Sequence, residues 1–148
     1  MASTDMVREA DFAQKKSESF FALRLDEGTE SYEIPVAGGN MLLGYLPPDC
    51  IITDAYVHVI TVSDAVTSST GTLGTAEGGT EIMSAADLDA AVGKTGTFTG
   101  QSLTTTGKGI YWNTTKVGGD GTAVGEVYVV IEYLEITKKS GEYTSFSL

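Results

Sequence analysis

His58 is the one imidazole of the chain and Cys50 its one thiol, so any catalytic or metal-binding set must be built around them or from carboxylates. His58 stands between Val57 and Val59, and neither Gly-x-Ser-x-Gly nor His-Glu-x-x-His occurs, so no motif pairs a nucleophile or a metal with it. It reads as a partly buried, hydrogen-bonded histidine in a strand. Cys50, between Pro48 and Ile51, reads as a small core residue at a strand entrance. A single cysteine supplies no intrachain disulfide and no cysteine-based metal cluster.

Gly93-Lys94-Thr95 matches the end of a phosphate-binding loop. That loop needs a glycine five residues before Gly93 and a helix after it, but Leu88 holds the first place and a Thr-rich stretch follows. A plain turn accounts for it. Glu126 and Glu132 share a strand face with Tyr128 between them. At ~3.4 Å per residue their α-carbons stand roughly 20 Å apart, too far for a glycosidase pair. No Asp-x-Asp-x-Asp loop with a terminal Glu is present, and Asp120 alone in its glycine loop makes no calcium site. Asn113-Thr114-Thr115 is a formal glycosylation sequon, but the first ten residues contain acids and no apolar signal core, which places synthesis and folding in a cytosol. No catalytic constellation and no cofactor site is expected.

The elements that carry these residues read as β. Gly (18 residues) and Thr (20 residues) are over-used, the one for turns and the other for strand faces that meet water. Residues 32–36, 41–46, 51–62, 70–75, 80–82, 97–99, 102–106, 110–114 and 124–136 are expected strands, with a last extended piece over 142–148. In residues 51–62, Ala55, Val57 and Val59 share one face, and Tyr56, His58 and Ile60 the other. In residues 124–136, Val127, Val129, Ile131 and Tyr133 oppose Glu126, Tyr128, Val130 and Glu132. One short helix is expected from Ser84 to about Val92: Ser84 caps it, Asp87 takes the capping-box position, Met83 and Leu88 stand at staple spacing, and Gly93 ends it.

Residues 1–31 differ from the rest. Charged side chains crowd the segment and glycine occurs only at Gly28, while Phe12, Phe20, Phe21, Leu23 and Leu25 are large apolar residues with little reason to stay in water. The segment reads as an extended arm that docks on a partner, ahead of a domain over residues 32–148 whose tail starts near residue 138. On this reading a chain beginning near Ser31 still folds. Phe21, Leu23 and Leu25 nevertheless alternate locally.

The chain is 148 residues long and carries 9 Lys+Arg against 20 Asp+Glu, a net charge of -11. That is the size of one domain, and its field repels nucleic acid and anionic membranes. No apolar run approaches the ~20 residues of a membrane-spanning helix. Many short strands with one small helix point to an antiparallel β-sandwich, jelly roll first among the possibilities.

Residues 40–59 (NMLLGYLPPDCIITDAYVHV), 68–75 (SSTGTLGT) and 125–133 (GEVYVVIEY) resemble the successive strands of small structural proteins of tailed bacteriophages. The resemblance implies a jelly-roll virion component, foremost a capsid decoration (cement) protein. It further implies a homotrimer on the outer capsid surface, with the major capsid protein as partner. The charged arm before Tyr32 and the tail from Tyr143 to Leu148 depart from that pattern and are expected to supply attachment through Phe12, Phe20, Phe21, Leu23, Leu25, Tyr143 and Phe146. Two alternatives share the sandwich: a tail, neck or fibre-base protein, and a carbohydrate-binding module. The latter needs an aromatic platform, for which Trp112 and Tyr111 are the candidates; alternation puts them on opposite faces, and burial of one in the core is expected.

Overall fold

The computed structural model describes residues 19–65, 67–103, 109–118 and 124–135. Among these are eleven strands and no helix: β1 (Ser19–Gly28), β2 (Ile34–Pro35), β3 (Gly39–Tyr45), β4 (Cys50–Thr61), β5 (Ser68–Gly74), β6 (Met83–Asp87), β7 (Gly93–Thr95), β8 (Thr97–Phe98), β9 (Gln101–Leu103), β10 (Gly109–Val117) and β11 (Glu126–Glu135). One sheet runs β2-β1-β11-β4-β7, with β9 also against β4, and the other runs β3-β10-β5-β6-β8. Pairing is antiparallel apart from the short contact of β2 with β1. The inward faces of the two sheets close on one core, the arrangement of a β-sandwich.

Alternation builds that core as the sequence predicts. On the first sheet Ala55 lies opposite Ile131, Val57 opposite Val129, and Val59 opposite Val127, all buried. Branched side chains in register across two central strands are favourable cross-strand pairs. The second sheet contributes Ile110, Trp112, Leu73, Met83 and Ala86. Trp112 is fully buried, so the exposed platform that a carbohydrate-binding module needs is missing at this residue.

The expected helix from Ser84 to Val92 is corrected. Residues 83–87 form β6, with Thr70 opposite Asp87 and Leu73 opposite Met83. The capping chemistry is present but closes a turn: Asp87 Oδ1 accepts from the backbone N–H of Asp89 (3.2 Å) and Ala90 (3.1 Å). The amide of Leu88 donates to Ser69 O, and its carbonyl accepts from Ser63 N, so the backbone that a helix would use is committed to other segments. Met83 and Leu88, read as a staple, are both core residues.

The expected arm is also corrected over its last part. Ser19–Gly28 is β1, paired with β11 from Ser19 opposite Tyr133 to Asp26 opposite Glu126, so the sandwich begins well before Tyr32. The alternation of Phe21, Leu23 and Leu25 is that of a strand with one face on the core, and Arg24 and Asp26 take the outward positions. Residues 1–18 and 136–148, with Phe12, Tyr143 and Phe146, lie outside the described residues.

Candidate interaction surface

Ser19 faces Tyr133 near the end of β11, so the start of β1 and the end of β11 lie together at one end of the first sheet. β4 starts at the same end, where Cys50 pairs with Glu135, and the short turn at Pro47 and Pro48 brings β3 there too. A Cβ built on Gly44 would lie 3.2 Å from the Phe21 ring, so the two sheets approach closely at this point. Three large apolar side chains stand in solvent at this end: Phe20 is 62% exposed, Tyr45 68% and Ile51 41%. Large hydrophobics exposed at one end of a sandwich mark a surface fit for a protein partner.

Of the residues expected to bind a partner, Leu25 is 4% exposed and belongs to the core, while Phe21 and Leu23 pack against it. These three therefore hold the sandwich together, and Phe20, on the opposite face of β1, is the member turned to solvent. Tyr45 and Ile51 were missed. Each was assigned to a strand, yet alternation alone does not separate a solvent-facing large residue from a covered one.

The outward face of the first sheet adjoins this end. Across it lie Phe20, Glu132 and Asp54 in one row, Ala22, Val130 and Tyr56 in the next, and Arg24, Tyr128 and His58 in a third. His58 is exposed here, opposite Lys94 on β7, which corrects the expectation of a partly buried histidine. Arg24 pairs with Glu126 (3.0 Å), and Lys94 lies 4.3 Å from the Tyr56 ring centroid and 3.8 Å from Asp54. The Gly93-Lys94-Thr95 run is thus an edge strand. On the other sheet Asn113 is buried beneath residues 78 and 79, with Nδ2 donating to Gly79 O, so the sequon asparagine is enclosed.

A second cluster lies inside the sandwich. Lys116 on β10 reaches Glu27 on β1 (Nζ to Oε2, 3.0 Å) and Asp64 after β4 (Nζ to Oδ1, 2.6 Å), and Ser63 Oγ donates to Glu27 Oε1 (2.5 Å). The lysine and glutamate side chains are 1% and 2% exposed. Burial pushes the Lys116 ammonium down, but the hydrogen bonds and charges of Asp64 and Glu27 outweigh it and hold the group above its ordinary value. Sequence reading counted Glu27 among the arm charges and left Lys116 unremarked. The signal was alternation, because Ile110, Trp112, Thr114 and Lys116 share one face of β10. Among the described residues no group of three or more His, Cys, Asp or Glu could hold a metal ion.

No family model matches the chain, and no curated protein matches it. Among solved structures it is similar to a chain of the "Cyanophage Pam1 capsid asymmetric unit", at 17% identity and a TM-score of 0.57, over 81% of this chain and 84% of that chain. At that identity the likeness establishes a common fold.

Proposed function

We propose that this chain is a virion structural protein of a tailed phage which binds the outer surface of the capsid as a decoration protein. The observation that carries the reading is the shared fold with a chain of a phage capsid asymmetric unit, at nearly equal coverage of both chains, 81% and 84%, which makes the two similar in length. The strand orders β1-β11-β4-β7 and β3-β10-β5-β6 support a jelly roll, an architecture used for viral shells. A net charge of -11 suits a position away from packaged DNA and on the outer side of the shell.

Attachment is assigned to the end of the sandwich that carries Phe20, Tyr45 and Ile51, together with Phe12, Tyr143 and Phe146 of the flanking sequence. The partner is the major capsid protein, and three copies acting together gain avidity from weak individual contacts. The role is structural, with no turnover of phosphate esters, glycosides or peptides.

Sedimentation with DNA-free phage shells that lack the chain tests this. The full chain is expected to pellet with shells, and the double variant Phe20→Ser with Tyr45→Ser to stay in the supernatant with its circular dichroism unchanged. Binding to isolated tails and not to shells would overturn the assignment in favour of a tail or neck component. Light scattering of the bound and free chain tests the trimer.

A further inference from the structure

The cluster of Lys116, Asp64, Glu27 and Ser63 has the parts of a chemical step that nothing in a purely structural sandwich requires. A buried lysine between two carboxylates is costly to assemble, and replacing such groups by apolar ones is often neutral or stabilising. Here the amine is in contact with one carboxylate, a second carboxylate touches the same nitrogen, and a hydroxyl fixes that second group from its far side. We propose that Lys116 and Asp64 become joined by an amide bond inside the folded chain, with Glu27 carrying the protons.

The geometry suits the step. Nζ of Lys116 is 2.6 Å from Oδ1 of Asp64, so the carboxyl carbon stands one bond beyond an oxygen that already touches the nitrogen. Reactants fixed in this way gain effective concentrations far beyond those in solution, which lets a sluggish condensation proceed without an external catalyst. Both carboxylates touch Nζ, so a proton that leaves the ammonium passes to a carboxylate within the cluster and not to water. Glu27 is the group placed to receive it: Oε2 lies 3.0 Å from Nζ, and Ser63 fixes Oε1.

The atoms balance as follows. Glu27 takes one proton from the Lys116 ammonium, leaving a neutral amine, and passes it to a carboxylate oxygen of Asp64. The nitrogen lone pair forms the N–C bond to Cγ of Asp64. Glu27 then takes a second proton from nitrogen and delivers it to the Asp64 hydroxyl, and the C–O bond breaks to release water. Three N–H protons become one amide proton and two on water. Glu27 ends as it began, and no oxidant or co-reactant is consumed. Asp64, with its side chain 22% exposed, gives the water a way out. Two of the three charges in the cluster disappear, and β10 of one sheet is tied covalently to the segment that follows β4 of the other.

Intact-mass spectrometry of the purified, folded full chain tests this, whatever the chain attaches to. The expected mass is lower than that of the sequence by one water, and fragmentation should join the segments that contain residues 64 and 116. Asp120-Gly121 could lose water by cyclising on its own, so variants localise the event. Asp64→Asn would release ammonia instead and arrive at the same final mass as the wild-type chain. Lys116→Arg should retain its full mass, and so should Glu27→Gln in a folded state checked by circular dichroism. A folded wild-type chain at full sequence mass overturns the proposal, as does a water loss that persists in Lys116→Arg.

Discussion

The Trp112 indole occupies the space in which any side chain at residue 71 would stand: a Cβ built on Gly71 meets the six-membered ring of the tryptophan. Gly71 on β5 and Trp112 on β10 both face the core, two residues out of register, so a glycine on one strand makes room for the largest side chain on the next.

Gly71→Ala is therefore expected to overpack the core at a cost of about 1–3 kcal/mol. Urea unfolding followed by circular dichroism, a signal that survives the loss of Trp112, measures it. Pairing Gly71→Ala with Trp112→Phe should cost less than the sum of the two separate changes, because the smaller ring relieves the collision. Strict additivity would show that the two residues do not compete for that space.

Cys50 is fully buried, and burial, then the negative charges of Glu135 and Asp49, push its thiol above the ordinary value of 9.0. The native chain should resist a thiol-specific reagent at pH 8 and react at the rate at which it unfolds. The sign of the pH effect follows from linkage. The folded state keeps this proton longer than the unfolded one, so the contribution is complete below pH 9.0 and declines as pH rises toward the folded value. Cys50→Ala loses packing at every pH but should flatten that alkaline decline, as urea midpoints at pH 8 and pH 10 would record.

Asn113 fastens the segment after β5 to the outward face of β10. Its Oδ1 accepts from Gly78 N (2.8 Å) and its Nδ2 donates to Gly79 O (2.9 Å). Asn113→Ala removes both bonds and is expected to cost about 1–3 kcal/mol. Hydrogen exchange at the Gly78 amide should quicken in the variant before any change elsewhere. Asn113→Asp keeps the acceptor for Gly78 and sets a carboxylate against the Gly79 carbonyl, so its loss should be at least as large.

How much of this was legible follows from which residues share a face. β4 and β11 could be read with their inward residues, since each is long and alternates without interruption; alternation put one of Tyr111 and Trp112 in the core without choosing between them, and Cys50 was placed inside from its position at a strand entrance. β6 was not, because Ser84, Asp87 and the pair Met83 and Leu88 satisfy local helix signals while the deciding contacts, Leu88 with Ser69 and Ser63, come from distant segments. The left-handed conformation of Ala85 (φ 54°), unusual for a residue with a side chain, breaks the alternation further. β1 was misassigned for a different reason: its charges were weighed as composition, whereas Arg24 and Asp26 occupy only the outward positions. The Lys116 cluster joins residues 27, 63, 64 and 116, a closure that no local pattern encodes.

The fate of a shortened chain follows from β1. A chain beginning at Ser31 was expected to fold, on the view that everything before it is an arm. Such a chain lacks the strand that lies between β2 and β11, so β11 would lose one of its two neighbours over eight registered positions. Leu25 would leave the core, Phe21 and Leu23 would cease to cover it, and each lost apolar side chain removes roughly 1.5–3 kcal/mol of burial. Glu27 would go as well, leaving buried Lys116 with Asp64 but without its second carboxylate. Together these losses are comparable with the ~5–15 kcal/mol that separates a domain from its unfolded state. The chain from Ser31 should therefore be unfolded by circular dichroism and should lack the blue-shifted emission of a buried Trp112. A chain beginning at Ser19 retains every contact described for β1 and should melt cooperatively. If the chain from Ser31 instead shows the full β signal and a cooperative melt, β1 is an accessory strand and the sandwich is completed without it.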